Sequence, residues 1–521
     1  MIEILDTTLR DGAQGEGVVF SLTDKLKLIR ALDALGVDYI EAGNPGSNPK
    51  DMELFRFAAQ ELCLRHARLA AFGMTRRPGM KAGEESSLRA IAESGAHVAS
   101  LVGKSDVRQV LEIVGTSRQE NLRMIADSVE ELARQGMSVF FDAEHFFDGW
   151  GRDAQYAMET LLTAERAGAA RLVLCDTNGG TMPEDLARIV AEVKGRVGVP
   201  VGIHCHNDCG LATAGTLRAV SAGAMQVQGT INGYGERCGN ANLCEVLPNL
   251  ALKMKMQVLP QGKISELAPT ARLFSEVANL KMNERMPYVG RSAFAHKGGM
   301  HIDGVMKDHA SFEHVEPEAV GNSRRILVSE VAGRSALMTK LRALAPELTR
   351  ESATTRGILE HIKALEAEGY SFEDADGSLT LRILGALGKR REFFKVLDFH
   401  VFSRKPESPR NAQAYVKIAV EGQEEITADE GDGPVNALDR ALRKALSRFY
   451  PVLNGMRLID FKVRVVDVDG TASSVRVHID STDGSSVFST VGVSSNIIEA
   501  AFVALTDSIE CLLSAREERG T

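Results

Sequence analysis

Through the N-terminal half of the chain, short apolar strand-like segments alternate with amphipathic helix-like ones. Five of the helix-like segments end in a glycine (Gly36, Gly95, Gly136, Gly168 and Gly223), and the next strand follows at once. Glycine suits the left-handed position that closes a helix. The strand-like segments fall at 2–6, 37–42, 68–72, 97–101, 138–142, 171–175, 200–204 and 225–231. Amphipathic stretches at 23–35, 120–135, 155–167 and 183–197 lie between them. Eight strand-then-helix repeats predict parallel strands. The closed architecture of that pattern is an α/β fold, the (β/α)8 or TIM barrel of about 250 residues. An open doubly wound sheet is the alternative, but no GxGxxG follows an early strand.

A barrel of this kind carries its reactive residues at the C-terminal ends of its strands. The polar clusters fall there: Arg10-Asp11, Glu41, Glu144, Asp176-Thr177-Asn178, His204 with His206, and Asn232. Residues two apart on a strand share a face, so His204 and His206 in V-G-I-H-C-H-N-D converge on one point. In an otherwise apolar strand, inward imidazoles need a strong partner. With Asp11, at the end of the first strand, they make a three-ligand metal site with open positions. Asn240, in G-E-R-C-G-N, could add a neutral oxygen ligand or cap a helix. Oxygen and imidazole without thiolate suit Mg²⁺, Mn²⁺ or Zn²⁺. Cys205, pointing the other way, and Cys209 read as structural.

At 521 residues the chain exceeds one ordinary core. We expect a catalytic barrel over 1–260, helical linker subdomains over 261–390 and a C-terminal domain over 391–521. The linker holds F-A-H-K-G-G-M-H-I-D-G, too polar for a plain connection. The C-terminal region repeats one pattern twice: strand-like segments, a turn and an amphipathic helix. That predicts a duplicated α+β domain, and its lack of catalytic-looking clusters points to regulation or assembly. The formal charge of −9 comes from interspersed residues, with no basic patch among aromatics, which argues against nucleic acid. No apolar run approaches the ~20 residues of a membrane span, and the first residues already read as a strand rather than a targeting segment. Seven cysteines without a CxxC pair fit a reducing compartment, so a cytoplasmic protein is expected.

L-R-D-G-A-Q at 9–14, followed by Lys25, and I-H-C-H-N-D-C-G at 203–210 resemble the paired signatures of the alpha-isopropylmalate/homocitrate synthase family. D-T-T-L-R-D-G-A-Q-G-E-G-V, D-Y-I-E-A-G-N-P-G-S-N-P-K-D and F-D-A-E-H-F-F-D-G resemble its citramalate synthase branch, and the likeness extends over the whole chain. The resemblance implies an acyltransferase that condenses acetyl-CoA with a 2-oxo acid, pyruvate in this branch, on a divalent metal. It implies a step in the biosynthesis of isoleucine, a branched-chain amino acid. Arg10 is then placed to bind the keto oxygen and offset developing charge, Glu144 and His301 are the catalytic pair, and Thr177 contacts the substrate carboxylate. Phe72, Met74 and Leu101, near strand ends, are candidates for the pocket wall. Two positions depart from the branch: Asn44, where an aromatic is usual and which brings a polar group near the pocket, and Phe312, where a tyrosine is usual. The resemblance also implies a homodimer and an amino-acid effector at the C-terminal domain. Competing readings are the same chemistry on another 2-oxo acid, a thioester lyase, a non-haem iron oxygenase, and a sensor without catalysis. The lyase would need a catalytic cysteine that Cys238 does not match, and the oxygenase a carboxylate close to its first histidine.

Overall fold

The computed structural model describes residues 2–327, 340–341, 344–349, 352–403, 411–466, 473–484 and 486–518. Eight parallel strands close into a barrel in chain order: β1 (Glu3–Asp6), β2 (Tyr39–Gly43), β3 (Arg68–Met74), β4 (Val98–Lys104), β5 (Ser138–Glu144), β6 (Arg171–Asp176), β7 (Val201–Cys205) and β8 (Gln226–Gly229). β8 pairs back onto β1 with Gln228 beside Leu5. Every expected strand is present. The eighth ends at Gly229, two residues before the expected limit. There the Thr7 N–H donates to the Gly229 carbonyl, and Ile231–Gly233 turn away with Asn232 at φ 61°.

All five helix-closing glycines have positive φ, between 78° and 112°. The first helix, α1 (Leu22–Leu35), is fixed at its start by a capping box, in which Ser21 Oγ accepts from Asp24 N and the Asp24 carboxylate accepts from Ser21 N. The two faces of the strands divide the residues by parity. One set, including Ala71, Ala99, Leu101, Phe141, Leu174 and Ile203, forms the main core with helix residues such as Ile91 and Ile125. The other set points into the barrel. At its N-terminal end, Leu5, Ala70, Val98 and Phe140 form a closed apolar cluster, with Tyr39 set edge-on to Phe140 at 5.0 Å. The Glu3–Arg171 pair, at 2.7 Å, lies at the same end. Toward the C-terminal end the interior turns polar, with Glu41, Ser100, Asp142, His204 and Gln228 buried.

The chain forms two compact units: Met1–Phe294 with Glu313–Arg324, and Ala295–Phe312 with Arg325–Thr521. The expected boundary at 260 therefore falls inside the first unit. The helix Leu267–Val277 belongs to the barrel because Phe274, Ala271 and Leu267 are buried there and Asn232 Nδ2 donates to the Ala271 carbonyl at 2.8 Å.

The second unit contains a helix at Gly299–Lys307, a longer one at Ala353–Ala367, and another at Asp376–Ala386. It also holds two three-stranded antiparallel sheets. Each sheet is followed by a helix, Pro434–Ser447 after the first and Ile497–Glu518 after the second. This is the duplication read from the repeat. Strand Ala412–Val420 shows the period-two burial expected of a half-covered sheet. The helix Asp376–Ala386, expected in the linker, is anchored on the second repeat. Ser378 Oγ donates to Asp507 Oδ2 at 2.7 Å, and Arg382 and Arg390 pair with Asp507 and Glu510. Gly377 allows the approach, since a Cβ there would lie 2.8 Å from Cys511 Sγ and 2.9 Å from the Ser489 carbonyl.

Candidate metal and active site

The turn after β1 carries two of the expected residues. The Thr7 carbonyl accepts from the N–H groups of Arg10, Asp11 and Gly12, which winds L-R-D-G into one tight turn. Thr8 Oγ1 accepts from Ile231 N at 2.9 Å and donates to Asp6 Oδ2 at 2.8 Å, tying that turn to the end of β8. On β7, His204 lies within the strand and His206 just beyond it, in a bridge to Asn240. The loop that carries Asn240 folds over the strand end, with Asn207 N donating to the Gly239 carbonyl at 2.9 Å. Only glycine closes this loop: Gly239 has φ 87°, and a Cβ would lie 2.0 Å from the Gly233 oxygen.

Asp11, His204 and His206 converge, each offering one ligand atom, all within 4.8 Å of one another. β1 and β7 flank β8, so the carboxylate meets the imidazoles across one intervening strand. His204 Nε2 lies 3.2 Å from Asp11 Oδ2. Asn240 Nδ2 donates to the same oxygen at 3.1 Å and to the Tyr234 carbonyl at 3.2 Å. Two buried atoms with lone pairs, His206 Nδ1 and Asn240 Oδ1, have no hydrogen-bond partner among the described residues. Orphaned acceptors beside a buried carboxylate are the deficit a cation would fill, and the oxygen-plus-imidazole set fits a hard or borderline divalent ion. The electrostatics agree. Burial alone would raise the Asp11 carboxyl, but Arg10, His204 and His206 overcome it and hold Asp11 well below the usual carboxylate range. Burial and the neighbouring His204 pull His206 down to about 4, which keeps its imidazole neutral.

Arg10 sits beside this cluster. Its Nε donates to Glu41 Oε2 at 2.6 Å, its Nη1 lies 3.5 Å from Asp11 Oδ1, and its guanidinium stacks 3.8 Å over the Phe72 ring. Burial works against the cation, but Glu41 and Asp11 more than offset it, so Arg10 stays charged. At the end of β5, Glu144 pairs with Lys104 from the end of β4. Thr177 Oγ1 accepts from His145 N at 2.8 Å, which leaves the hydroxyl its own proton to donate. Arg237 joins the Asn240 loop to this edge, donating to Asp208 at 2.8 Å and to the Thr177 carbonyl at 2.8 Å.

The HMGL-like family profile matches residues 1–273, the homocitrate synthase post-HMGL domain-like profile 288–370, and the LeuA allosteric (dimerisation) domain 373–513. The (R)-citramalate synthase of Aquifex aeolicus is 47% identical over 523 residues, covering 100% of this chain and 99% of that protein. Those of Geobacter sulfurreducens, at 46% with 99% and 98% covered, and Sulfolobus acidocaldarius, at 43% with 99% and 97%, match along the same span. The chain belongs to the citramalate synthase branch of the isopropylmalate/homocitrate synthase family.

In this branch member several expected pocket residues stand elsewhere. Leu101 does not line the interior. It is fully buried on the outward face of β4, the face on which a Cβ at Gly103 would meet Phe141 and Ile125. The inward positions there are Ser100, Val102 and Lys104. Asn44 spends its amide oxygen on the turn that follows it, accepting from Gly46 N and Ser47 N at 3.1 Å each, so its oxygen serves the turn and not the pocket. Met74 is half exposed at the inward side of the end of β3, beyond Phe72. Asn240 presents nitrogen, not oxygen, to Asp11. His301 lies in the second unit, on helix Gly299–Lys307, with its ring stacked 4.2 Å from Phe312. Phe312 thus supplies a ring face to His301 and no hydroxyl. Asn232, expected at the mouth, instead donates to Ala271 O and Ser275 Oγ.

Sequence reasoning missed Lys104, Gln228 and the Arg237–Asp208 pair, and saw Asp142 only as the end of a strand. For Gln228 a signal existed: a strand that reads Q-V-Q-G puts two amides on the inward face of a buried barrel strand. Among the described residues, no helix is long and apolar enough to cross a membrane.

Proposed function

We propose that the protein is a citramalate synthase, joining the acetyl group of acetyl-CoA to pyruvate and hydrolysing the resulting thioester, and so serving isoleucine biosynthesis. The observation that carries the mechanism is the buried convergence of Asp11, His204 and His206 beside Arg10. The substrate assignment is supported by full-length relatives that bear the name (R)-citramalate synthase at 43–47% identity. Asp11, His204 and His206 would hold Mg²⁺, Mn²⁺ or Zn²⁺, and Asn240 would join them on turning its amide over, which brings the unpartnered Oδ1 toward Asp11. A divalent ion in this set supplies Lewis acidity to the keto group of a 2-oxo acid.

The residues of the chain then divide the work. Arg10, charged and braced by Glu41, donates to the keto oxygen as it gains charge. Phe72 holds the guanidinium flat from below. Thr177 donates to the carboxylate of the oxo acid. Glu144, kept company by Lys104, serves in the acid–base work that takes a proton from the acetyl methyl group and supplies one to the product alkoxide, and the family resemblance gives His301 a catalytic role of its own. The C-terminal domain makes the enzyme a homodimer and binds a small amino-acid effector. The seven free cysteines fit a cytoplasmic location.

The test is free-CoA release from acetyl-CoA by the metal-loaded protein with pyruvate, 2-oxobutyrate, 2-oxoisovalerate or 2-oxoglutarate, against a blank without oxo acid. Turnover confined to pyruvate is expected. Turnover with another acid keeps the chemistry and replaces the substrate. A folded, metal-loaded sample inactive with all of them overturns the reading.

A further inference from the structure

One buried interaction inside the barrel has no part in the chemistry above. His204 Nδ1 lies 2.9 Å from Gln228 Oε1, and Gln228 Nε2 donates to Asp142 Oδ1 at 3.0 Å. The three residues come from β7, β8 and β5, and their exposures are 6%, 1% and 3%. The strand register sets His204 directly beside Gln228. Asp142 reaches Gln228 across the interior, since β5 and β8 are not neighbours in the barrel.

With Asp142 ionised, the order of donors and acceptors along this chain follows from the amide of Gln228. Asp142 Oδ1 accepts, so the amide nitrogen of Gln228 faces Asp142 and its oxygen faces His204. An oxygen beside Nδ1 requires a proton on Nδ1, so Nε2 is the only ring atom left to give its lone pair to a cation, which would there replace the proton shared with Asp11. Nε2 is the atom directed at Asp11 Oδ2, 3.2 Å away. The His204 imidazole therefore has its tautomer and ring plane fixed from behind.

We propose that Gln228, itself held by Asp142, is a positioning residue that sets the tautomer of His204 and aims its Nε2 lone pair at the cation. The proposal rests on the metal reading given above. It assigns to Gln228 and Asp142 a task distinct from filling the polar interior: a filler would affect folding alone, whereas a positioning residue also sets how the ion is held.

Full-length protein stripped of metal is titrated with Co²⁺ against a chelating dye, and the visible d–d bands are recorded. Gln228→Met keeps the length of the side chain and removes the acceptor. It should weaken Co²⁺ binding by about 10–100-fold and alter the bands, as loss of such outer partners commonly does. Gln228→Glu restores an acceptor beside Nδ1 and should return binding to within a few-fold of the parent. The melting temperature of each metal-free protein separates loss of the ion from loss of the fold. Unchanged affinity and bands in folded Gln228→Met overturn the proposal, as does a Gln228→Glu protein that fails as completely as Gln228→Met. Should Gln228→Met not fold, Asp142→Asn takes its place, because an amide partner lets Gln228 turn over. Several-fold weaker Co²⁺ binding is expected, and unchanged binding overturns the proposal. A parent protein that takes up no Co²⁺ overturns the metal site itself, and this proposal with it.

Discussion

At the scale of single residues, Arg10 shows how one side chain is committed in several directions. It pairs with Glu41, approaches Asp11 and covers Phe72. Arg10→Lys retains a charge against the buried Glu41 but loses the planar fork. Its kcat for CoA release should fall by ~10²–10³, the usual effect of losing one such donor, with the metal-free melting temperature little changed. Asp6 permits a prediction in pH. Burial pushes its carboxyl up to about 7, even though Thr8 N and Oγ1 donate to it. Because the folded pKa exceeds the unfolded value of about 3.9, the folded state holds the extra proton across that interval, and stability declines as pH rises through it. Asp6→Asn lacks this term. Its melting temperature should gain on the parent between about pH 4 and about pH 7, and a constant difference would mean that Asp6 is ionised throughout.

The candidate metal ligands are legible as residues because strand periodicity aligns His204 with His206 and a strand end exposes Asp11. Leu101 was misplaced for a physical reason. The interior of the barrel is polar at that level, so Ser100 turns inward and the leucine outward, against the usual expectation for a core. Asn44 was misplaced because a short side chain in A-G-N-P-G-S finds backbone donors two and three residues on before it finds a substrate. Gln228, 24 residues from His204 and 86 from Asp142, depends on partners no local pattern reveals.

At the scale of elements, the strand and helix limits followed from alternation and from helix-closing glycines. The packing partners of two helices did not. Leu267–Val277 covers the barrel, and Asp376–Ala386 is bound to the second C-terminal repeat, although both are amphipathic segments in a stretch that reads as linker. What decides the second case is an ionic cluster formed by groups more than a hundred residues apart in sequence: Ser378, Arg382 and Arg390 against Asp507 and Glu510. Burial raises both carboxyls, and the arginines oppose that rise. Arg390, just past the end of this helix, is the hydrogen-bonded partner of Glu510, and Arg390→Met leaves that carboxylate only the more distant Arg382. Breaking a buried pair from one side costs about 3–5 kcal/mol, and partial exposure of Arg390 places this case at the lower end. Urea unfolding of the second unit should shift to lower midpoint, with the barrel transition unmoved. Equal shifts in both transitions would count against a local role.

At the scale of the molecule, all the proposed metal ligands belong to the first unit. An ion present at a hundred times its dissociation constant adds about 2.7 kcal/mol to the unit that binds it and nothing to one that does not. Calorimetry of the full chain with and without Mn²⁺ should therefore raise the barrel transition alone, and excess chelator should reverse it. A rise confined to the second unit would place the ion elsewhere. The HMGL-like match falls within the first unit and the LeuA allosteric (dimerisation) match, which points to oligomerisation, within the second.

The apolar cluster of Leu5, Ala70, Val98 and Phe140 bears on traffic as well as stability. It seals one end of the barrel, so everything that reaches the polar interior enters and leaves through the opposite mouth. On the proposed chemistry a small acid and a long thioester share that doorway. The acid sits deeper, against Arg10, and the bulk of the thioester then stands behind it like a stopper. Seating must proceed from the smaller guest to the larger, and departure in the reverse order.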